Sequence, residues 1–285
     1  MNADTQIQQL RTAILDAMRQ TSVRDEVDRI ESSVSGGKMI RGRLVLDLGT
    51  ANGLPLHKLV KLGAAIELLH AGSLLHDDII DGGTQRRSHP ALWVAEGVKS
   101  AVLIGDLLLS VSLKLVLEDG SGQMPTLVHA LHNMCNAEAE QEFASGGDSD
   151  SWDDCVRIAR HKTGVLFGLA AACAAGDDRE LSRALEAAGS DLGTAYQLAD
   201  DLLDICPHDN GSGKSLGTDA ASGKLTAARF GEKDRIDHLD EIEQLLEKAS
   251  GRLRDRPEIH KCWIYYVERV IRPILHHFTK HTLSP

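Results

Sequence analysis

A chain of 285 residues with 42% hydrophobic and 26% charged residues has ordinary globular composition and enough apolar material for a sizeable core. Its formal net charge of −11 argues against general affinity for nucleic acid or anionic membranes, so any anion it binds must be met by a local group of cations. With no Pro/Gly/Ser-rich linker to divide it, a single domain over residues 1–285 is expected.

The opening MNADTQIQQLRTAI has an early Asp and polar residues where a signal peptide needs a basic start and an apolar core, so a cytoplasmic location is expected. Leu10, Ile14 and Met18 recur at helical spacing. A turn at Ser35-Gly36-Gly37 then precedes Lys38-Met39-Ile40-Arg41, which puts Lys38 and Arg41 at i and i+3 in the first turn of a helix. Backbone N–H groups and the helix dipole favour anions there. Beyond Asn52-Gly53-Leu54-Pro55, a run through Leu62, Ile66 and Leu69 ends in Asp77-Asp78-Ile79-Ile80-Asp81, with His70 two turns before Asp78. His76, beside Asp77, reads as a structural residue. After Gly82-Gly83 come Arg86-Arg87, whose guanidinium forks match phosphate oxygens. The longest apolar stretch, Ala101 to Leu117, is interrupted by Asp106 and Lys114 and predicts a buried helix, not a transmembrane segment.

Further on, the acidic segment Asp148 to Asp154 reads as a solvated loop ending in a helix cap. Lys162-Thr163 opens an apolar helix, and Leu181, Leu185 and Leu192 lead to a second acidic motif, Asp200-Asp201-Leu202-Leu203-Asp204, with Gln197 one turn before it. Gly213-Lys214, Gly217 and Gly223-Lys224 suggest a mobile flap carrying two cations. The run from Glu232 to Arg256 reads as an amphipathic surface helix, and Trp93, Trp152 and Trp263 as core or interface residues. Five cysteines without CxxC pairing predict reduced thiols. Helical periodicity throughout, with no comparable period-two alternation, predicts an all-α fold of ten or more helices with both acidic motifs facing a shared cavity.

In each acidic motif the first and last Asp lie at i and i+4 on one helix face with the middle Asp beside them. Such a concentration of like charge calls for a hard cation. Carboxylates that leave coordination positions open suit Mg²⁺ already carrying substrate phosphate, so the candidate substrate is a diphosphate.

With GGKMIR, LLHAGSLLHDDIID, RR, AVLIGDLLL, KTG, YQLADDLLD and GKSLGTDAASGK in this order between Gly36 and Lys224, the chain resembles the trans-isoprenyl diphosphate synthases, or polyprenyl synthetases. The resemblance implies a single large helical bundle of the isoprenoid synthase type around a deep central cavity, magnesium dependence (several ions per site) and a homodimer. It implies that Asp77, Asp78, Asp81, Asp200, Asp201 and Asp204 hold Mg²⁺ on an allylic diphosphate, with Arg86, Lys162, Thr163, Gln197, Lys214 and Lys224 completing that site. Lys38, Arg41, His70 and Arg87 would bind isopentenyl diphosphate. The implied reaction extends the allylic diphosphate by one isoprene unit through an allylic cation.

Some positions depart from the family pattern. Gly42 stands where Pro is usual, Ser88 where Gly follows the Arg pair, Leu107 where an aromatic is frequent, and Ala227-Ala228 where Leu-Pro is usual. The aromatic floor often found four or five residues before the first Asp is here Ser73 and Gly72, with Ala71 beside them. The expected product is therefore geranylgeranyl diphosphate or longer, with farnesyl as the shorter alternative, and Gly72→Phe is expected to shorten it. Two other readings remain: a class I terpene cyclase, against which the second DDxxD motif speaks, and a non-catalytic or regulatory subunit of a heteromeric synthase.

Overall fold

Leu10, Ile14 and Met18, each fully buried, form the inner stripe of helix α1 (Ala3–Arg19). In the structure, a computed structural model, residues 3–120, 122–143, 151–203, 226 and 235–280 are described. They fall into two compact units, one of residues 3–120 and 122–124, the other of the remainder. Thirteen α-helices occur among them, so the all-α expectation holds.

In the first unit, α2 (Val27–Ser35), α3 (Ile40–Ala51) and α1 pack around α4 (Leu56–Ile80). Leu62, Ala64, Ala65, Ile66, Leu68 and Leu69 are all buried, and a helix apolar on every side must lie at the centre of its unit. Beyond α4 come strands β1 (Gln85–Arg86) and β2 (His89–Pro90), a hairpin too short to leave a period-two signal, then α5 (Leu92–Glu96) and α6 (Val98–Asp119).

α6 corrects one expectation, because it is only half buried. Ala101, Ile104, Leu108 and Val111 are buried, while Leu103 and Leu117 are 68% and 67% exposed. Packing on α4 covers one face and leaves a second apolar face open within the unit. α6 is also the one helix among the described residues long and apolar enough to cross a membrane.

The second unit contains α7 (Met124–Phe143) from Pro125 onward, α8 (Trp152–Ala159), a π-helical turn (Arg160–Gly164), α9 (Val165–Ala172), α10 (Arg179–Leu203), α11 (Arg235–Gly251), α12 (Pro257–Tyr266), a second π-turn (Val267–Ile271) and α13 (Arg272–Lys280). α9 and α10 touch backbone to backbone: a Cβ on Gly189 would lie 2.4 Å from the Phe167 carbonyl oxygen, and one on Gly193 would lie 2.9 Å from the Gly164 Cα. Small residues therefore fix this crossing. Asp191 of α10, fully buried, binds Arg160 at 3.0 Å and Arg252 at 2.8 Å, joining the π-turn to the end of α11. The expected cap is Ser151, which accepts from the Asp154 N–H while the Asp154 carboxylate accepts from the Ser151 N–H.

Trp263 is fully buried, Trp93 donates to the Gly83 carbonyl at 2.7 Å, and Trp152 stacks on His238 and donates to Glu241. Cys135, Cys155, Cys173 and Cys262 are reduced thiols, as expected, and Cys206 lies outside the described residues.

Candidate functional site

The first acidic motif forms the end of α4. Asp81 is its C-cap, and its N–H bonds to the Asp77 carbonyl at 2.8 Å. Asp77 and Asp81 are half-exposed, whereas Asp78 is 3% exposed, and a carboxylate so buried needs a partner. Arg86 supplies it. Its Nε donates to both Asp78 oxygens at 2.8 Å, and its Nη2 donates to Oδ1 at 2.6 Å. Gly83 leaves room for this pair, since a Cβ there would lie 3.3 Å from Asp78 Oδ1.

The hairpin brings Arg86 into reach. Arg86 pairs with His89, and the two loop residues between them, Arg87 and Ser88, have φ of 53° and 62°. Two positive φ values in a two-residue loop match the twist of the strands it joins. As a result the adjacent arginines serve different places. Arg86 turns back to Asp78, while Arg87 lies on the Gly36-Gly37 backbone, where a Cβ on Gly37 would be 2.6 Å from Arg87 Nη2 and one on Gly36 2.9 Å from Nη1. Burial and the Arg86 charge push the Arg87 guanidinium below its usual range, and Glu67 and Asp78 pull it back up.

Around this glycine bed, Arg11 of α1 donates to the Gly37 carbonyl at 3.1 Å, and Met39 takes a left-handed conformation just before α3. Lys38 is exposed and Arg41 is 6% exposed. Two first-turn N–H groups of α3, which favour anions by position, meet a protein carboxylate. Glu67 of α4 accepts from the Gly42 N–H at 2.7 Å and from the Arg41 N–H. Burial pushes Glu67 up from the usual carboxylate range, while Arg41, the Gly42 N–H and Arg87 hold it down. His70 lies one turn beyond Glu67 on the same helix, and its carbonyl accepts from Ser73 Oγ at 2.9 Å. The sequence pattern missed Glu67, although it is the sole acidic residue between Leu62 and Leu75.

The second unit holds the other acidic motif at the end of α10. Asp200 is half-exposed and Asp201 is 8% exposed. Asp201 Oδ1 accepts from Gln197 Nε2 at 2.6 Å, and Gln197 Oε1 accepts from Thr163 Oγ1 at 2.5 Å. Lys162 reaches α7 instead, pairing with Glu138 at 2.5 Å and Gln141 at 3.1 Å. The π-turn carries Lys162 and Thr163, and such turns recur at functional positions. Glu138 and Gln141, partners on another helix, left no signal in the sequence. Asp204, Lys214 and Lys224, with the expected flap, lie outside the described residues.

For a metal, the donors in both motifs are carboxylate oxygens. Among the described residues no three His, Cys, Asp or Glu side chains gather as a ready-made metal cage. Mg²⁺ does not require one, since it takes one or two carboxylates and fills its remaining positions with water and substrate phosphate. In the first unit Asp77 and Asp81, one helical turn apart, fit that role, and in the second unit, taken by itself, so does Asp200.

The surroundings of Gly72 bear on the expected effect of Gly72→Phe. Its Cβ would lie 3.0 Å from the Gly105 carbonyl oxygen and 3.2 Å from Leu109 Cδ2, so it faces the backbone of α6 across a tight crossing. A phenylalanine there would meet Gly105 and Leu109 of α6. Ser73, the neighbouring position, is half-exposed.

The chain matches the Polyprenyl synthetase family over residues 27–261. A geranylgeranyl diphosphate synthase of Mycobacterium tuberculosis is 34% identical over 210 residues, covering 70% of this chain and 59% of that protein, so the chain spans less than two thirds of that relative. A short chain isoprenyl diphosphate synthase of Methanothermobacter thermautotrophicus is 32% identical over 244 residues, 80% of this chain and 74% of that protein. Among solved structures, the polyprenyl synthase from Caulobacter crescentus complexed with calcium and isoprenyl diphosphate has a TM-score of 0.73 at 26% identity, covering 98% of this chain and 87% of that one.

Proposed function

The chain belongs to the polyprenyl synthetase family, and from that premise we propose that it is a chain-elongating prenyltransferase. It condenses isopentenyl diphosphate with an allylic diphosphate, releasing diphosphate and a longer trans-polyprenyl diphosphate. The observation that carries this reading is the division of the arginine pair, Arg86 at the acidic motif and Arg87 at the Gly36-Gly37 loop, which suits two separate diphosphate groups.

In this reading Asp77, Asp78, Asp81, Asp200, Asp201 and Asp204 hold Mg²⁺, and the calcium and isoprenyl diphosphate of the Caulobacter protein support a divalent ion beside substrate. Magnesium, when bound, adds positive charge where the departing diphosphate gains negative charge. Arg86 and Lys162 contribute to the same stabilisation. Lys162 must exchange Glu138 for a phosphate oxygen to do so, while the Thr163–Gln197–Asp201 chain orients the second motif. Lys214 and Lys224 complete the allylic site, and Lys38, Arg41, His70 and Arg87 hold isopentenyl diphosphate. Its double bond attacks the allylic cation to form the new carbon–carbon bond, and the tertiary cation left on the isopentenyl unit loses a proton from an adjacent carbon to the released diphosphate, forming the new double bond. This sequence uses no protein nucleophile.

The exposed apolar face of α6 suits a homodimer, and the whole chain acts as one cytoplasmic catalytic domain. For the product, geranylgeranyl diphosphate or longer is the favoured reading, with farnesyl diphosphate as the shorter alternative.

Incubation of the purified chain with Mg²⁺, isopentenyl diphosphate and geranyl, farnesyl or dimethylallyl diphosphate, followed by product analysis, tests the reading. Condensation should stop with a chelator, and Asp77→Ala or Asp200→Ala should lower kcat by orders of magnitude. If the chain alone condenses none of these primers, the catalytic reading fails and a non-catalytic subunit takes its place.

A further inference from the structure

We infer that Glu67 is a positioning residue, the fixed countercharge that aims Arg41 and Arg87 at isopentenyl diphosphate. This rests on the reading of those arginines as cations of that site.

Three elements converge on one buried carboxylate. Glu67 comes from α4, Arg41 from the start of α3 and Arg87 from the hairpin turn. Glu67 is 6% exposed, so its charge is sustained only by close donors and cations. It has both, in the Gly42 and Arg41 N–H groups and in the two guanidinium charges.

Arg87 in turn depends on this carboxylate. The Arg86 and Arg11 charges repel it, and the carboxylates acting on it are Glu67 and Asp78. Asp78 is already gripped by the Arg86 fork. Glu67 is therefore the negative charge that balances Arg87 on its glycine bed.

Gly42 makes the arrangement possible in this chain. The proline usual at that position has no N–H, whereas Gly42 donates to Glu67 Oε1 and holds the carboxylate in one orientation. That contact also caps the dipole of α3, so an incoming diphosphate is met by side-chain cations in place of the Gly42 N–H. Glu67 acts through the guanidinium groups and makes no contact with substrate in this scheme.

The test is steady-state kinetics with each substrate varied in turn, on the full chain and on Glu67→Gln, Glu67→Asp, Arg87→Ala and the Glu67→Gln/Arg87→Ala double variant. Glu67→Gln keeps the shape and an acceptor for the Gly42 N–H while removing the charge. It should raise KM for isopentenyl diphosphate about tenfold and leave the allylic KM within about twofold. Added to Arg87→Ala it should contribute much less than it does alone, because the two residues act as a unit.

Glu67→Asp, which keeps the charge, should stay within about threefold of the parent KM for isopentenyl diphosphate. If Glu67→Gln fails to fold, the Asp variant decides by this criterion. An unchanged KM for isopentenyl diphosphate in Glu67→Gln, equal rises for both substrates, or an Asp variant as impaired as the Gln one overturns the inference. If Arg87→Ala itself leaves that KM unchanged, the site reading fails and the Glu67 inference falls with it.

Discussion

Arg86 grips Asp78 through two nitrogens, Nε and Nη2, at 2.6 to 2.8 Å, and so neutralises the most deeply buried carboxylate of the first acidic motif. Arg86→Ala would leave that carboxylate buried without its fork. The expected loss is about 1.5 to 3 kcal/mol, the usual range for hydrogen bonds to a charged group. Arg86→Lys keeps the charge but not the fork and should recover only part of it. Thermal unfolding of the two variants checks this, and equal melting temperatures for Arg86→Ala and the parent would mean that Asp78 has another partner in solution.

The Arg87-Ser88 turn holds two non-glycine residues at positive φ, a conformation that costs L-residues energy. Ser88→Gly relieves one of them and loses some of the gain to the greater freedom of the unfolded chain. The net stabilisation should be about 0.5 to 1 kcal/mol, with Arg86 still reaching Asp78. A β-branched residue, as in Ser88→Val, should destabilise by more than about 1 kcal/mol. Denaturant midpoints would rank the three proteins Gly, Ser, Val in falling stability.

At the crossing of α4 and α6, added atoms should unfold before they select products. A Cβ on Gly105 would lie 2.3 Å from His76 Nε2, so Gly105→Ala should cost about 1 to 3 kcal/mol by overpacking. Gly72→Phe should give little soluble protein. Ser73→Phe should fold and shift products toward shorter chains, as chromatography of the hydrolysed products would show. Unchanged product length in a folded Ser73→Phe protein would place the limit on elongation elsewhere.

Burial and the neighbouring Arg157 hold His161 below the usual histidine range. The unfolded chain therefore takes up this proton at a higher pH than the folded one does. Above about pH 6.5 neither state is protonated and no stability is lost. As pH falls from there toward the depressed folded value, the unfolded state gains protons first and stability declines. His161→Gln should flatten this acid-side slope, measured as the difference in urea midpoint between pH 7.5 and 5.5. A slope equal to that of the parent would show that other groups carry it.

Spacing along single helices was legible in the sequence, and so was the chemistry that depends on it. The carboxylates at the ends of α4 and α10, the buried stripe of α1 and the helix start near Asp154 all follow from periodicity and residue type. What lies across from a residue was not legible. Gly72 and Ser73 are neighbours in sequence, yet one abuts a carbonyl of α6 while the other is half-exposed. Glu67 is a single acidic residue in an apolar run, and Lys162 gives no hint of Glu138 on α7. The hairpin was missed because two-residue strands cannot show alternation. α6 was predicted buried because composition counts apolar residues without regard to which face a neighbour covers.

The π-turn at Arg160–Gly164 has a consequence for register. Val165 N–H bonds to the Arg160 carbonyl, five residues back, so one residue is added without lengthening the helix by a normal step. Each residue of an α-helix turns the chain by about 100°, so this insertion offsets the faces before and after it by roughly that angle. Two alignments are thereby set separately. Gly164 and Gly168 keep their fit against α10, while the side chains of α8, with Arg157 on Glu140 and Trp152 on His238, follow a different phase. Deleting one residue within the turn would restore a regular helix and swing α8 by about a quarter-turn against an unmoved α9, so loss of a single residue would uncouple the two halves without touching the glycine seam.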